Sequence, residues 1–136
     1  RGERAFALDI VLRCAVALAA GAARMLRPTG WWLAREPVDL RCGVDRLWLL
    51  AKMSLDRDPV DGGAYIFRNR AGTRIKVLCV DAHGVWLAVR RLHDGCFVWP
   101  RDGDAVWSMD AAQFEWLVHG IDWQRMSRTQ VLAKTV

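Results

Sequence analysis

The stretch AYIFRNRAGTRIKVLCVDAHGVWLAVRRLHDGCFVWP, residues Ala64 to Pro100, decides the fold class of this chain. Four short runs rich in β-branched and aromatic residues are separated by the tetrads Arg70-Ala71-Gly72-Thr73, Asp81-Ala82-His83-Gly84 and Leu92-His93-Asp94-Gly95. Each tetrad holds a Gly with Asp, Thr or His. Apolar runs punctuated in this way predict consecutive hairpins, a β-meander. If each tetrad is a symmetric turn, Asn69 faces Arg74, Val80 faces Val85 and Arg91 faces Cys96.

That register sorts the charges. Alternate turns of a meander lie at opposite ends of the sheet, so the first and third turns share one end. Arg68, Arg70, Arg74, Lys76, Arg90 and Arg91 all fall toward it, while the other end has Asp81 and no base. Arg74 and Arg91 come out directly opposite each other, and like charges so placed destabilise a sheet. A sheet end with six cations therefore points to an anionic counterpart, with Arg suited to bidentate phosphate contacts. The bland reading, a solvated strand end with Arg present for solubility, stands level with it. Trp86 and Trp99 share a face in this register and could stack on bases. Burial beneath helices is the favoured reading for both.

Working outward, Trp31 to Ala34 reads as a short strand and Glu36-Pro37-Val38-Asp39 as a turn. A helix is predicted from about Gly43 to Ser54, with Val44, Leu47, Ala51 and Leu55 on one apolar face and Asp39 near enough to help cap it. Asp56 to Gly63 is a loop by its Pro, Gly and Asp content. Beyond the meander, Val106-Trp107 opens another short strand. Asp110 with Gln113 forms a capping-box start to a helix that carries Phe114, Leu117, Val118 and Ile121 and exits at Gly120. His119 is placed as a partner of that helix's C-terminal dipole.

The ends of the chain read differently. Residues 1–29 form an Ala-rich segment with a helical stretch from about Phe6 to Met25. Asp9 and Arg13 interrupt its apolar run, which argues against a secretion signal or a membrane span. The first residue is not Met, so the segment is expected to be an extension or a fragment's end, dispensable to the fold. The tail, residues 126–136, is polar and basic and is expected to fray. Residues 30–125 form the domain.

Bulk properties agree with one modest core in 136 residues. A formal net charge of +5 and a pI of about 9.5 favour acidic partners. Cys14, Cys42, Cys79 and Cys96 form no CxxC pair and no zinc-ligand spacing, which points to a reducing, cytoplasmic compartment. Cys79 and Cys96 are placed in strands. No P-loop, GxGxxG, GxSxG or HExxH motif occurs. His83 and His93 lie in opposite turns. A carboxylate triad of Asp39, Asp81 and Asp94 would support a metal nuclease, but Asp81 and Asp94 also belong to opposite sheet ends. No cofactor is implied.

Three segments together resemble a known family: LAREPVDLRCGVDRL, then Asp58 to Pro100, then MDAAQFEWLVHGIDW. They look like TnpB, the second-reading-frame accessory protein of the insertion sequence 66 family of bacterial transposons. Asp39, Arg41 and Gly43 fit its D-M-R-x-G start, with Leu40 for Met. Phe67, Arg68, Asn69, Arg70, Lys76 and Leu78 fit F-R-N-R-x-x-x-x-x-K-x-L. Arg90, Arg91, Leu92, Gly95, Phe97, Trp99 and Pro100 fit K-R-L-x-x-G-x-F-x-W-P, with Arg90 for Lys. The resemblance implies a protein encoded beside a DDE-type transposase and needed with it for transposition, with no catalytic activity of its own.

The expected fold is α+β: a four- to five-stranded antiparallel meander with two helices packed on one face and an N-terminal helical extension. The expected function is a non-catalytic transposition accessory protein that contacts DNA at transposon ends through the basic sheet end, by way of Arg68, Arg70, Arg74, Lys76, Arg90 and Arg91. A protein–protein adaptor for the transposase or for itself is the runner-up, and a metal-dependent nuclease comes third. No membrane role is expected, and self-association is left open.

Overall fold

The computed structural model describes residues 26–125. The Ala-rich stretch over Phe6 to Met25 and the tail from residue 126 lie outside them. Five strands, β1 (Trp31–Ala34), β2 (Ala64–Arg68), β3 (Arg74–Val80), β4 (Val85–Arg91) and β5 (Val106–Met109), form one sheet in the order β4-β3-β2-β1-β5. Among the described residues, the helices α1 (Val44–Ser54) and α2 (Ala111–Val118) and a short 3-10 turn at Pro59–Asp61 accompany the sheet.

The first two hairpins follow the expected register. Asn69 N–H donates to the Arg74 carbonyl at 3.1 Å, and Val80 pairs with Val85. Arg74 faces Arg91 directly. The third hairpin does not form, which corrects the expectation that Arg91 faces Cys96 in a fourth meander strand. The chain leaves the sheet after β4 and wraps across its end. Phe97 N–H donates to the Gly72 carbonyl at 2.8 Å, Trp99 Nε1 donates to the Ala34 carbonyl at 2.8 Å, and Trp123 Nε1 donates to the Val98 carbonyl at 2.8 Å. Phe97 and Pro100 are buried. Aromatic residues in this run thus close the core from the side rather than extend the sheet, and Cys96 sits exposed outside any strand.

The sheet is mixed, not purely antiparallel. β1 runs parallel to β2, Trp31 beside Ala64, and antiparallel to β5, Trp31 beside Met109. The connection from β1 to β2 contains α1, which makes a βαβ crossover of the kind a parallel pair requires.

The helices cover opposite faces, not one. On the first face Leu47, Ala51 and Leu55 of α1 pack with Tyr65, Phe67 and Leu78. On the second, Phe114 and Leu117 of α2 pack with Trp31, Leu33, Ile66, Ile75 and Val77. Trp31 stacks on Phe114 with ring centroids 4.0 Å apart. The cause lies in the strands. Ala64-Tyr65-Ile66-Phe67 is fully buried, and of β3 residues 77–79 are too. An unbroken apolar run in place of alternation marks a strand buried on both faces.

Helix starts differ in their chemistry. At α2 the Asp110 carboxylate accepts the Gln113 N–H at 2.7 Å and Gln113 Oε1 accepts the Asp110 N–H at 2.9 Å, the expected capping box. Asp110→Ala is expected to lower stability by about 1 kcal/mol, read as a shifted urea midpoint at unchanged slope. At α1 the N-cap is Gly43, with no side-chain cap. Asp39 does not serve there, because its carboxylate is engaged by Arg41 at 2.6 Å. At the exit of α2, Gly120 takes φ +74°, and His119 Nδ1 lies 2.6 Å from the Glu115 carbonyl, the helix-end position expected for it.

Candidate nucleic-acid interface

The six cations fall into three environments. Arg68 is built into the fold. It lies on the α2 face, Nη2 and Nε donate to the Arg35 carbonyl at 3.1 and 3.3 Å, and the guanidinium sits 5.7 Å from the Trp99 ring. Burial pulls its pKa below the usual guanidinium range. Lys76 is half-engaged: Nζ donates to the Cys42 carbonyl at 2.9 Å, tying β3 to the loop before α1. Arg70, Arg74, Arg90 and Arg91 are exposed, and none has an acidic partner within ion-pair distance among the described residues.

Strand parity divides these four. Arg74 and Arg91 share the α1 face with Lys76, whereas Arg90, paired with the buried Ile75, points to the α2 face. Arg70 stands at the tip of the β2–β3 turn. That turn is rigid: Asn69 Oδ1 accepts the N–H groups of Thr73 and Arg74, both at 3.0 Å, and Gly72 adopts φ +72°. An L side chain at Gly72 would be strained there.

Arg70, Arg74 and Lys76 line one open cleft of about 680 Å³. Its other wall is the Pro37–Arg41 loop, held by the Val38 N–H donating to the Arg68 carbonyl at 2.9 Å. Sequence reading did not place Arg41 here. Its charge is already matched by Asp39, whose hydrogen bonds from the Arg41 side chain and backbone lower its pKa to about 2. On the other side of the turn a second hollow of about 700 Å³ holds Arg68, Arg70 and Arg101 with Trp99. Arg70 alone of the six borders both.

The turn at the far end of the meander carries Asp81. Asp81 accepts the His83 and Gly84 N–H groups at 2.8 and 2.9 Å, and these bonds lower its pKa. It is a turn residue. Trp86 and Trp99 do not form a joint stacking surface. Trp86 is 45% exposed on β4, and Trp99 is half-buried against the α2-side core. Among the described residues, no group of three or more His, Cys, Asp or Glu could hold a metal ion.

Comparison with known proteins places this geometry in a family. A family model described as IS66 Orf2 like protein matches residues 29–128, a span that includes β1–β5, α1 and α2. The chain belongs to that family. It is 37% identical over 98 residues to the uncharacterized protein y4hO of Sinorhizobium fredii, covering 72% of this chain and 85% of that one. It is 33% identical over 103 residues to the uncharacterized protein y4jC of the same organism, covering 76% and 88%. No solved structure matches. The family ties the chain to insertion sequences and transposition, in an accessory capacity. Among the described residues no helix is long and apolar enough to cross a membrane.

Proposed function

We propose that this IS66 Orf2-like protein acts in transposition by contacting DNA, at the transposon ends, through the Arg-rich end of its sheet. The observation that carries the reading is the facing pair Arg74–Arg91, exposed and without an acid beside it among the described residues. A folded protein that sets two guanidinium groups across adjacent strands accepts repulsion. A phosphate backbone relieves it. Arg70 at the turn tip and Lys76 in the same cleft extend the positive surface, and Arg90 adds to it from the other face. Arg68 contributes as the residue that fixes the Pro37–Arg41 wall. Without a base-reading element in view, the contacts position DNA rather than read its sequence. A transposase bound beside it would then meet DNA held in a set orientation. A cytoplasmic location follows from this role.

The test is the salt dependence of binding to transposon-end DNA. Arg74→Ala with Arg91→Ala is expected to reduce the slope of log K against log salt by about 1 per cation, about 2 in all. Lys52→Ala, remote on α1 and paired with Asp58 at 3.7 Å, serves as the control and should leave the slope alone. A double variant with the parent's slope would sink the reading. In that outcome, co-purification with the transposase independent of salt would favour the adaptor.

A further inference from the structure

β4 is an outer strand of the sheet, and among the described residues nothing pairs with its outer edge. Its backbone groups alternate. Asp81 N–H donates to the Gly84 carbonyl and Leu92 N–H to the Thr73 carbonyl, so in the intervening register Trp86, Ala88 and Arg90 bond to β3. The N–H and C=O groups of Val85, Leu87, Val89 and Arg91 therefore point away from the sheet. Natural edges are blunted by Pro, Lys, bulges or short length. This one has seven residues, neither Pro nor Lys, and leaves Val85, Trp86 and Val89 exposed at 44%, 45% and 60%.

We propose that β4 pairs antiparallel with β4 of a second copy of this chain, about a two-fold axis at Ala88. The register is chosen by the strand itself. A centre at Ala88 brings the four outward-facing residues together, Val85 against Arg91 of the second copy and Leu87 against Val89 of the second copy, so the whole strand is used. On the α2 face it sets Trp86 beside Arg90 of the second copy, and the symmetry repeats the contact. Each is a cation–π pair between a flat exposed ring and a guanidinium without an acid near it among the described residues. A parallel arrangement would set Arg90 and Arg91 of the two copies side by side, which like-charge repulsion opposes. The small Ala88 leaves room at the axis. Beneath it an apolar hollow of about 300 Å³, walled by Ile75, Val77, Phe114 and Val118, runs along the strand and becomes continuous between the copies. The interface is isologous, the commonest closed symmetry, and rests on no assumption about DNA.

Ala88 and its counterpart form a non-hydrogen-bonded pair, with Cα atoms about 4.5 Å apart, within disulfide reach. In a Cys96→Ser background, Ala88→Cys is expected to oxidise to a covalent dimer. Met53→Cys, an exposed position on α1 at 76%, should not. Val89→Pro removes an outward N–H, leaves the β3 ladder whole, and is expected to weaken the dimer by about tenfold or more in sedimentation equilibrium. Arg90→Glu leaves the backbone edge intact and should weaken it by a smaller factor. A parent chain that remains monomeric through the micromolar range overturns the proposal. So does a dimer that both substitutions leave unchanged, or one that Ala88→Cys fails to cross-link.

Discussion

Phe67→Ala is expected to destabilise the domain by about 3–5 kcal/mol, while Arg70→Ala, three residues on, should change stability by less than about 0.5 kcal/mol. Both belong to the Phe67-Arg68-Asn69-Arg70 motif, yet they live on different links of the chain from sequence to function. Phe67 is 1% exposed and fills the layer between β2 and α1 beside Leu47 and Leu78. Truncating it leaves a cavity that two close-packed layers cannot collapse to fill. Against a typical total of about 5–15 kcal/mol, the loss places the variant near its unfolding threshold. Arg68 and Asn69 hold the adjacent loop and turn through their hydrogen bonds. Arg70 is left with no structural task among the described residues, and its removal should show as weaker DNA binding at an unchanged urea midpoint. Equal midpoints for Phe67→Ala and the parent would mean that β2 is not sandwiched as described.

Local chemistry was legible in the sequence where the controlling interaction is local. The turns at Arg70–Thr73 and Asp81–Gly84, the Asp110–Gln113 box and the apolar face of α1 depend on residues within a few positions of each other. So the β2–β3 and β3–β4 registers, and with them the facing of Arg74 and Arg91, followed from spacing alone. What failed depends on long separations. Nothing near Trp31 announces that β1 will enter the sheet next to β2 in a parallel sense. Without that, the Pro37–Arg41 wall of the cation cleft could not be placed. The run Cys96–Pro100 carries strand-like residues, but Phe97 and Trp99 are needed to close the core: the Trp99 indole N–H finds the Ala34 carbonyl on β1, and the Val98 carbonyl accepts from the Trp123 indole. Packing overrode propensity there. The opposite placement of the helices did have a signal, the unbroken burial-type run Ala64–Phe67. Strand propensity alone does not distinguish one covered face from two; the absence of alternation does. The six cations were collected correctly to one region, but their separation by face into Arg74, Lys76 and Arg91 on one side and Arg68 and Arg90 on the other required the sheet.

The chain's single tyrosine gives a clean test of the polar network around its buried ring. Tyr65 is fully buried. Its hydroxyl donates to Asp61 Oδ2 at 2.7 Å and accepts from Arg57 Nε at 3.2 Å, and the Arg57 guanidinium lies 3.5 Å over the Trp32 ring. Asp61 also accepts the Gly63 N–H at 2.7 Å. Burial, and then the Asp61 carboxylate, raise the phenol's pKa from 10.0 to about 12. The folded state therefore prefers the neutral phenol more than the unfolded state does. That preference stabilises the fold fully below pH 10 and is lost as pH rises through about 12. Phenolate absorbance, to which the eight tryptophans contribute no titration, should show a midpoint near 12 in the native protein and near 10 in denaturant. Asp61→Ala removes the acceptor. It should cost about 1–3 kcal/mol for the orphaned hydroxyl alone, with more from the Gly63 N–H. Its phenol midpoint should fall, but only part of the way, because burial is the larger cause and remains. Tyr65→Phe removes the donor as well as the need for it and should be the milder change. If Asp61→Ala were no worse than Tyr65→Phe, water would be taking the carboxylate's place at the Tyr65 hydroxyl.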